Sequence, residues 1–145
     1  MADLRVKLAT APAELDGAYA LRHRVFVVEQ GVPVELERDE HDAAADHAVA
    51  LDGGRVVATG RLVALDARAG KVGRMAVDAG RRGEGLGAAV LAELEGAARR
   101  RGLAEVVLHA QLSARGFYDR LGYRAEGPVF EEAGIAHVEM RKRLG

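Results

Sequence analysis

The chain has 145 residues, 49% hydrophobic and 30% charged, with 21 basic against 22 acidic side chains and a formal net charge of −1. That length predicts one domain over residues 1–145, able to bury roughly 68–70% of its unfolded surface without staples. The balanced charge argues against a nucleic-acid module, the lack of cysteine excludes disulfides and a thiolate nucleophile, and no apolar run approaches the ~18 residues of a membrane span.

In chain order, the opening "MADLRVKLATAP" lacks the basic start and continuous apolar stretch of a signal peptide, so a cytoplasmic location is expected. Leu4 to Leu8 alternate apolar and basic residues, which predicts a short strand. Thr10 is placed to cap a helix that starts near Pro12 and runs to about Phe26, since proline is tolerated in a first turn. "EQGVPVELERDEHDAAAD" is broken by Gly31 and Pro33 and dense in charge, predicting a loop with one short helix. Two apolar runs around Asp52-Gly53-Gly54 predict a hairpin. "KVGRMAVD" is a further strand, and it leads into a glycine-rich turn.

Beyond that turn Leu86, Val90, Leu94, Ala97 and Ala98 fall at helical spacing. Arg99, Arg100 and Arg101 suit the negative end of the helix dipole, and Gly102 stops the helix. "AEVVLHA" is the next strand, followed by a short helix with Ser113 as its cap and Gly122 as its stop. "RAEGPVF" and "AHVEMRKRL" are expected to pair around "EEAG". This order predicts an α/β (α+β) fold with a mixed, mostly antiparallel sheet of about seven strands and about four helices. The unit from Val72 to Ala110 is its one parallel strand–helix–strand crossover.

The turn "AGRRGEGLGAA" places Gly83, Gly85 and Gly87 two apart behind Arg81 and Arg82, at the start of a helix. Glycine lets main-chain N–H groups approach a ligand closely, and free N–H groups at a helix start favour an anion. The two arginines add full positive charge, so the natural ligand is a phosphate or pyrophosphate. A P-loop would end Gly-Lys-Ser/Thr, and this turn ends Leu-Gly-Ala. The dinucleotide pattern G-x-G-x-x-G/A is matched by Gly83 to Ala88, but it needs an acid at the far end of the next strand, where this chain has His109 and Gln111. A third pattern, Arg/Gln-x-x-Gly-x-Gly/Ala, is met by Arg82 to Gly87.

"VGRMAVDAGRRGEGLGAAVL" resembles the acetyl-CoA-binding motif of the GNAT N-acetyltransferase superfamily, and "FYDRLGYRAEG" resembles the motif that follows it. "LRHRVFVVEQGVPVELERDEHD" and "GFYDRLGYRAEGPVFEEAGIAHVEMRKRL" are similar to the ElaA-like/YjcF-like branch. The resemblance implies the GNAT acyl-CoA N-acyltransferase fold, in which the strand ending at Val77 splays from the strand ending at Ala110 and acetyl-CoA lies in that V. It implies that the backbone of Met75, Ala76 and Val77 runs beside the pantetheine arm. It likewise implies that the N–H groups from Arg82 through Gly83, Glu84, Gly85, Leu86, Gly87 and Ala88 hold the pyrophosphate. Tyr118 falls where the family has a tyrosine close to the CoA sulfur, while Gln111 stands where many members have asparagine.

The implied reaction moves acetyl from acetyl-CoA, as co-substrate and without a metal, to a primary amine of a small molecule or peptide. A lysine-like amine has a pKa near ~10.4, so a base must take its proton, a carbonyl must be polarised and a thiolate must be protonated. Tyr118 is the candidate acid. Candidate bases are His109, near the end of its strand, and Glu29 and Glu35, in the segment that covers the acceptor side in this family; His47 and His137 read as structural. Residues 35–42, "ELERDEHD", carry five carboxylates against one arginine and one histidine, which predicts a negative rim that attracts cationic amines. A metal at this cluster is not expected, because its members are loop neighbours without a helical i, i+4 pair. The partners expected are therefore this amine, no nucleic acid and no membrane, with the protein a monomer or homodimer. Two further readings share the fold: a non-catalytic acyl-CoA-binding module, and an enzyme similar to acyl-homoserine-lactone synthases.

Overall fold

A computed structural model describes residues 3–145. Its strands are β1 (Leu4–Leu8), β2 (Asp46–Asp52), β3 (Arg55–Ala64), β4 (Ala69–Val77), β5 (Glu105–Gln111), β6 (Arg124–Glu132) and β7 (Ile135–Arg143). The α-helices are α1 (Pro12–Arg22), α2 (Val34–Glu37), α3 (Leu86–Arg100) and α4 (Arg115–Arg120). All seven strands form one sheet in the order β1-β2-β3-β4-β5-β7-β6. Every neighbouring pair is antiparallel except β4–β5, the parallel pair joined through α3. No helix among the described residues is long and apolar enough to cross a membrane.

The helices divide between the two faces of the sheet. On α3, Leu86, Val90, Leu91, Leu94, Ala97 and Ala98 are buried against Val57, Leu62, Val72, Val106, Leu108 and Met140, forming the larger core. On the other face Ala18, Leu21 and Val25 cover Val49, Leu51, Val56 and Ala76. The aliphatic stripe at helical spacing that marks α3 in the sequence is thus the stripe it buries. The predicted hairpin joins β2 to β3 through Gly53 and Gly54 at φ of 58° and 91°, the left-handed pair a two-residue turn requires.

Three local expectations are corrected. Thr10 does not cap α1: Ala11 is the N-cap, and Glu14 reaches back to accept from the Thr10 and Ala11 main-chain N–H groups at 2.9 and 3.1 Å. The Thr10 hydroxyl accepts instead from Lys7 Nζ at 3.2 Å. The first helical run does not stop at Phe26 but continues as a π-helical segment, His23–Glu29, before Gly31 turns the chain at φ 73°. Ser113 lies inside a 3-10 turn, Leu112–Ala114, so α4 begins without a side-chain cap.

Candidate active site

The geometry starts from an interruption in β4. Its pairing with β5 runs from Ala69↔Glu105 to Val72↔Leu108 and ends there. Along the other edge, Arg61 pairs with Gly73 and Thr59 with Ala76, so Arg74 and Met75 together oppose Gly60. This is a β-bulge, which bends a strand and increases its twist. Arg74 takes the left-handed conformation at φ 54°, and the Met75 side chain passes over Gly60, where a Cβ would collide with its sulfur. Beyond Val72 the β5-facing edge of β4 therefore has no partner strand among the described residues. Asp78 N–H donates to the Val57 carbonyl at 2.9 Å, so strand alternation turns the main-chain groups of Val77, and of Met75 two residues earlier, to that open edge.

The glycine turn closes one end of the V. Gly83 and Gly85 have φ of 84° and 81°, and a Cβ on either would meet nothing within 4 Å, so both are required by conformation and both face open space. Gly87 is closely approached: a Cβ there would lie 3.3 Å from Phe117 Cζ on α4. Gly85 is also the N-cap of α3, and no side chain caps that end. The N–H groups of Leu86, Gly87 and Ala88 thus lack helical partners at the positive end of a 15-residue helix.

The two arginines before the turn differ from the sequence expectation of free positive charge. Arg81 donates to Asp52 Oδ2 at 2.6 Å and to Glu84 at 3.0 Å, leaving Glu84 only its main chain to offer a ligand. Arg82 makes a two-pronged pair with Glu29 at 2.6 and 2.9 Å and donates to the Val77 carbonyl at 3.1 and 3.2 Å. The same contact holds the Glu29 carboxyl below the usual carboxylate range, which makes it a poor proton acceptor.

Tyr118 and His109 lie on opposite faces of β5. Tyr118 packs in the core beneath α3, edge-on to Phe117 and Tyr123, and is 7% exposed. Burial pushes its phenol up to about 12, so it stays protonated at neutral pH. Its hydroxyl makes no hydrogen bond among the described residues, where no fully buried side-chain polar atom lacks a partner; the hydroxyl therefore reaches an opening. His109 alternates with the buried Leu108 and Ala110 and so faces the α1 side. Its Nδ1 donates to Glu132 at 2.9 Å, Phe130 stands edge-on to its ring, and Nε2 lies 3.7 Å from Glu139, beyond hydrogen-bond reach.

On that same side, residues 29–39 bridge the V. Gln30 accepts from Gln111 Nε2 at the end of β5 at 2.9 Å, while the Leu36 and Glu37 carbonyls accept from Arg74 at 3.2 and 2.9 Å. With Glu29 on Arg82, this lid is tied to both strands of the V and to the glycine turn. The structure neutralises part of its expected negative rim. Glu37 and Asp42 are buried, 4% and 6% exposed, against Arg22, which is 1% exposed. Arg22 donates to Glu37 at 2.8 Å and to Asp42 at 2.7 Å, and Arg61 donates to Asp39 at 2.7 Å and to Asp42 at 2.8 Å. These guanidiniums hold the Asp39 carboxyl down at about 2 and the Asp42 carboxyl lower still. Arg38 lies over the Tyr19 ring at 3.7 Å. Three of the five carboxylates, Glu37, Asp39 and Asp42, are thus paired with Arg22, Arg61 and Arg74, while Glu35 and Glu40 are exposed. Among the described residues no group of three or more His, Asp or Glu side chains is placed to hold a metal ion. Sequence reasoning missed the pairing with Arg22, Arg61 and Arg74, and the Glu132 that orients His109, because each partner comes from a different element.

Comparison with known proteins agrees with this geometry. Residues 10–144 match the family model of the acetyltransferase (GNAT) domain. The Bacillus subtilis N-acetyltransferase YjcF is 36% identical over 140 residues, covering 96% of this chain and 99% of that one. Among solved structures, an acyl-CoA N-acyltransferase from Pseudomonas aeruginosa superposes with a TM-score of 0.84 at 31% identity, covering 98% and 99% of the two chains. ElaA of Escherichia coli superposes with a TM-score of 0.83 at 27% identity and the same coverage.

Proposed function

The chain belongs to the GNAT acetyltransferase family, and from that premise we propose that it transfers acetyl from acetyl-CoA to a primary amine of a small molecule or peptide by direct attack. The observation that carries the reading is the junction of an unpaired β4 edge with an uncapped, glycine-opened helix start. An extended arm with a diphosphate fits such a junction: the edge offers strand-like hydrogen bonds, and the helix start favours the anion. Acetyl-CoA supplies an activated thioester when bound.

The chain's own residues supply the rest. The N–H groups of Gly83, Gly85, Leu86, Gly87 and Ala88 face the diphosphate, flanked by Arg82 and the main chain of Glu84. Met75, Ala76 and Val77 line the arm, with Arg82 occupying the Val77 carbonyl in the present arrangement. The main chain of the open edge is positioned to polarise a carbonyl, as an oxyanion site does. Tyr118, which burial keeps protonated, gives its proton to the departing CoA thiolate as the amine's proton passes to the base. His109 serves as base: because its Nδ1–H donates to the Glu132 carboxylate, the ring presents its lone pair at Nε2. Glu29 acts through Arg82 as a tether rather than as the base. Pairing of Glu37, Asp39 and Asp42 with arginines leaves Glu35 and Glu40 as the exposed carboxylates of segment 35–42, a smaller negative rim than the sequence implies.

The test is free-thiol release from acetyl-CoA across a panel of primary amines, for the parent and for His109→Gln. The proposal expects turnover of at least one amine, with a loss of roughly 10²–10⁴-fold in the variant. A variant that keeps the parent turnover places the base elsewhere.

A further inference from the structure

We infer that Arg74 is a positioning residue: its side chain fastens the lid to the β4 bulge, so that the shape of the open strand edge and the placement of the lid are set together. The inference rests on the proposed acetyl-transfer site and assigns this residue a task within it.

The backbone gives the first reason. Among the described residues nine glycines adopt a positive φ, whereas Arg74 and Ala133 are the residues with side chains that do so. A left-handed φ is the place for glycine, because an L side chain is strained there. An arginine at that position must recover the strain through what its side chain binds.

The side chain binds four acceptors, all on the lid. Nε donates to the Glu37 carbonyl at 2.9 Å and to Glu37 Oε2 at 3.2 Å. Nη2 donates to the Leu36 carbonyl at 3.2 Å and to Asp39 Oδ2 at 3.3 Å. Leu36 and Glu37 end α2, whose four residues are too few to satisfy their own last carbonyls. Arg74 therefore closes that helix end and pairs with two carboxylates at once. A planar guanidinium fork can do both, whereas an ammonium cannot. Arg22 on α1 and Arg61 on β3 grip Glu37, Asp39 and Asp42 from below. Of the three arginines, Arg74 is the one whose own backbone forms the edge of the V. Releasing its side chain frees the lid from that edge, and relaxing its backbone moves Met75.

Three variants separate the two tasks. Arg74→Gly keeps the left-handed backbone and deletes the fork; Arg74→Ala deletes the fork and keeps the strain; Arg74→Lys keeps the charge. Each is assayed below its own unfolding temperature. Arg74→Gly is expected to bind acetyl-CoA near the parent affinity while kcat/KM for the amine falls about tenfold to a hundredfold. Arg74→Ala is expected to weaken acetyl-CoA as well, and Arg74→Lys is expected not to restore kcat/KM. Parent-like kcat/KM in Arg74→Gly overturns the inference. Hydrogen exchange supplies a readout that needs no turnover: amides of residues 30–40 should exchange faster in Arg74→Gly, with those of 83–90 unchanged. Unaltered protection at 30–40 overturns the tether even if acetyl transfer holds. Faster exchange there supports the tether even if the amine panel fails, so the two readings fail separately.

Discussion

At Tyr118 the ring is buried, the hydroxyl reaches an opening, and the phenol is pushed up to about 12 by desolvation. It therefore donates a hydrogen bond across the neutral range and contributes no titration there. Tyr118→Phe should leave acetyl-CoA affinity nearly unchanged and lower turnover by roughly 10²–10⁴-fold, without shifting a neutral-range pH limb. Steady-state kinetics at several pH values check this; an unchanged turnover number returns Tyr118 to core packing. The short helix that carries Tyr118 was legible in the sequence, because its glycine stop and the strand that follows are local signals. The orientation of His109 was not. Its partner Glu132 is 23 positions away, and the two meet through the β5–β7 and β7–β6 pairings. No local spacing encodes that encounter.

The element that departs most from its sequence reading is the segment 34–42. Read alone, "ELERDEHD" is an acidic surface, since its neutralising arginines stand on α1, β3 and β4. Burial reverses the expectation about its acids. Removing one member of a buried ion pair leaves the other charge uncompensated, at a typical cost of about 3–5 kcal/mol. Asp42→Asn should therefore destabilise strongly, whereas Glu35→Gln, on an exposed residue, should stay within about 0.5 kcal/mol of the parent. The sign of the pH dependence follows from depressed carboxylates: a folded pKa below the unfolded one contributes stability that is present above the ordinary range and lost as pH falls. For Asp39 that window runs from 3.8 down to about 2, and Asp42 continues below it. Urea unfolding between neutral pH and pH 2 checks both points. The parent should lose stability across that window and Asp42→Asn should lose less; equal stability of the two proteins at neutral pH would show that the network carries no folding energy. The start of α1 is a smaller case. Glu14 stands three residues after Ala11, so its carboxylate serves the main chain around Ala11, and Thr10 lies one position too early for a side-chain cap.

Across the whole molecule, the element order and the parallel β4–β5 pair were legible, because apolar periodicity, Gly53-Gly54 and the crossover helix are local signals. The placement of β7 between β5 and β6 was not, since a hairpin can dock by either strand. The bulge was hidden as well: "KVGRMAVD" reads as an unbroken strand, and only the tertiary fit of Arg74 to the lid and Met75 to Gly60 reveals the extra residue. These hidden features build the V, and the legible glycine turn closes it. The central claim is that this junction holds acetyl-CoA, and Gly85 tests it most directly, because φ 81° there sets both the turn and the helix start. The measurement is calorimetric titration of acetyl-CoA into the parent and into Gly85→Val, with circular dichroism confirming that the variant is folded. The account predicts saturable binding by the parent and a severe loss of affinity in the variant; equal affinity in the two proteins would contradict it.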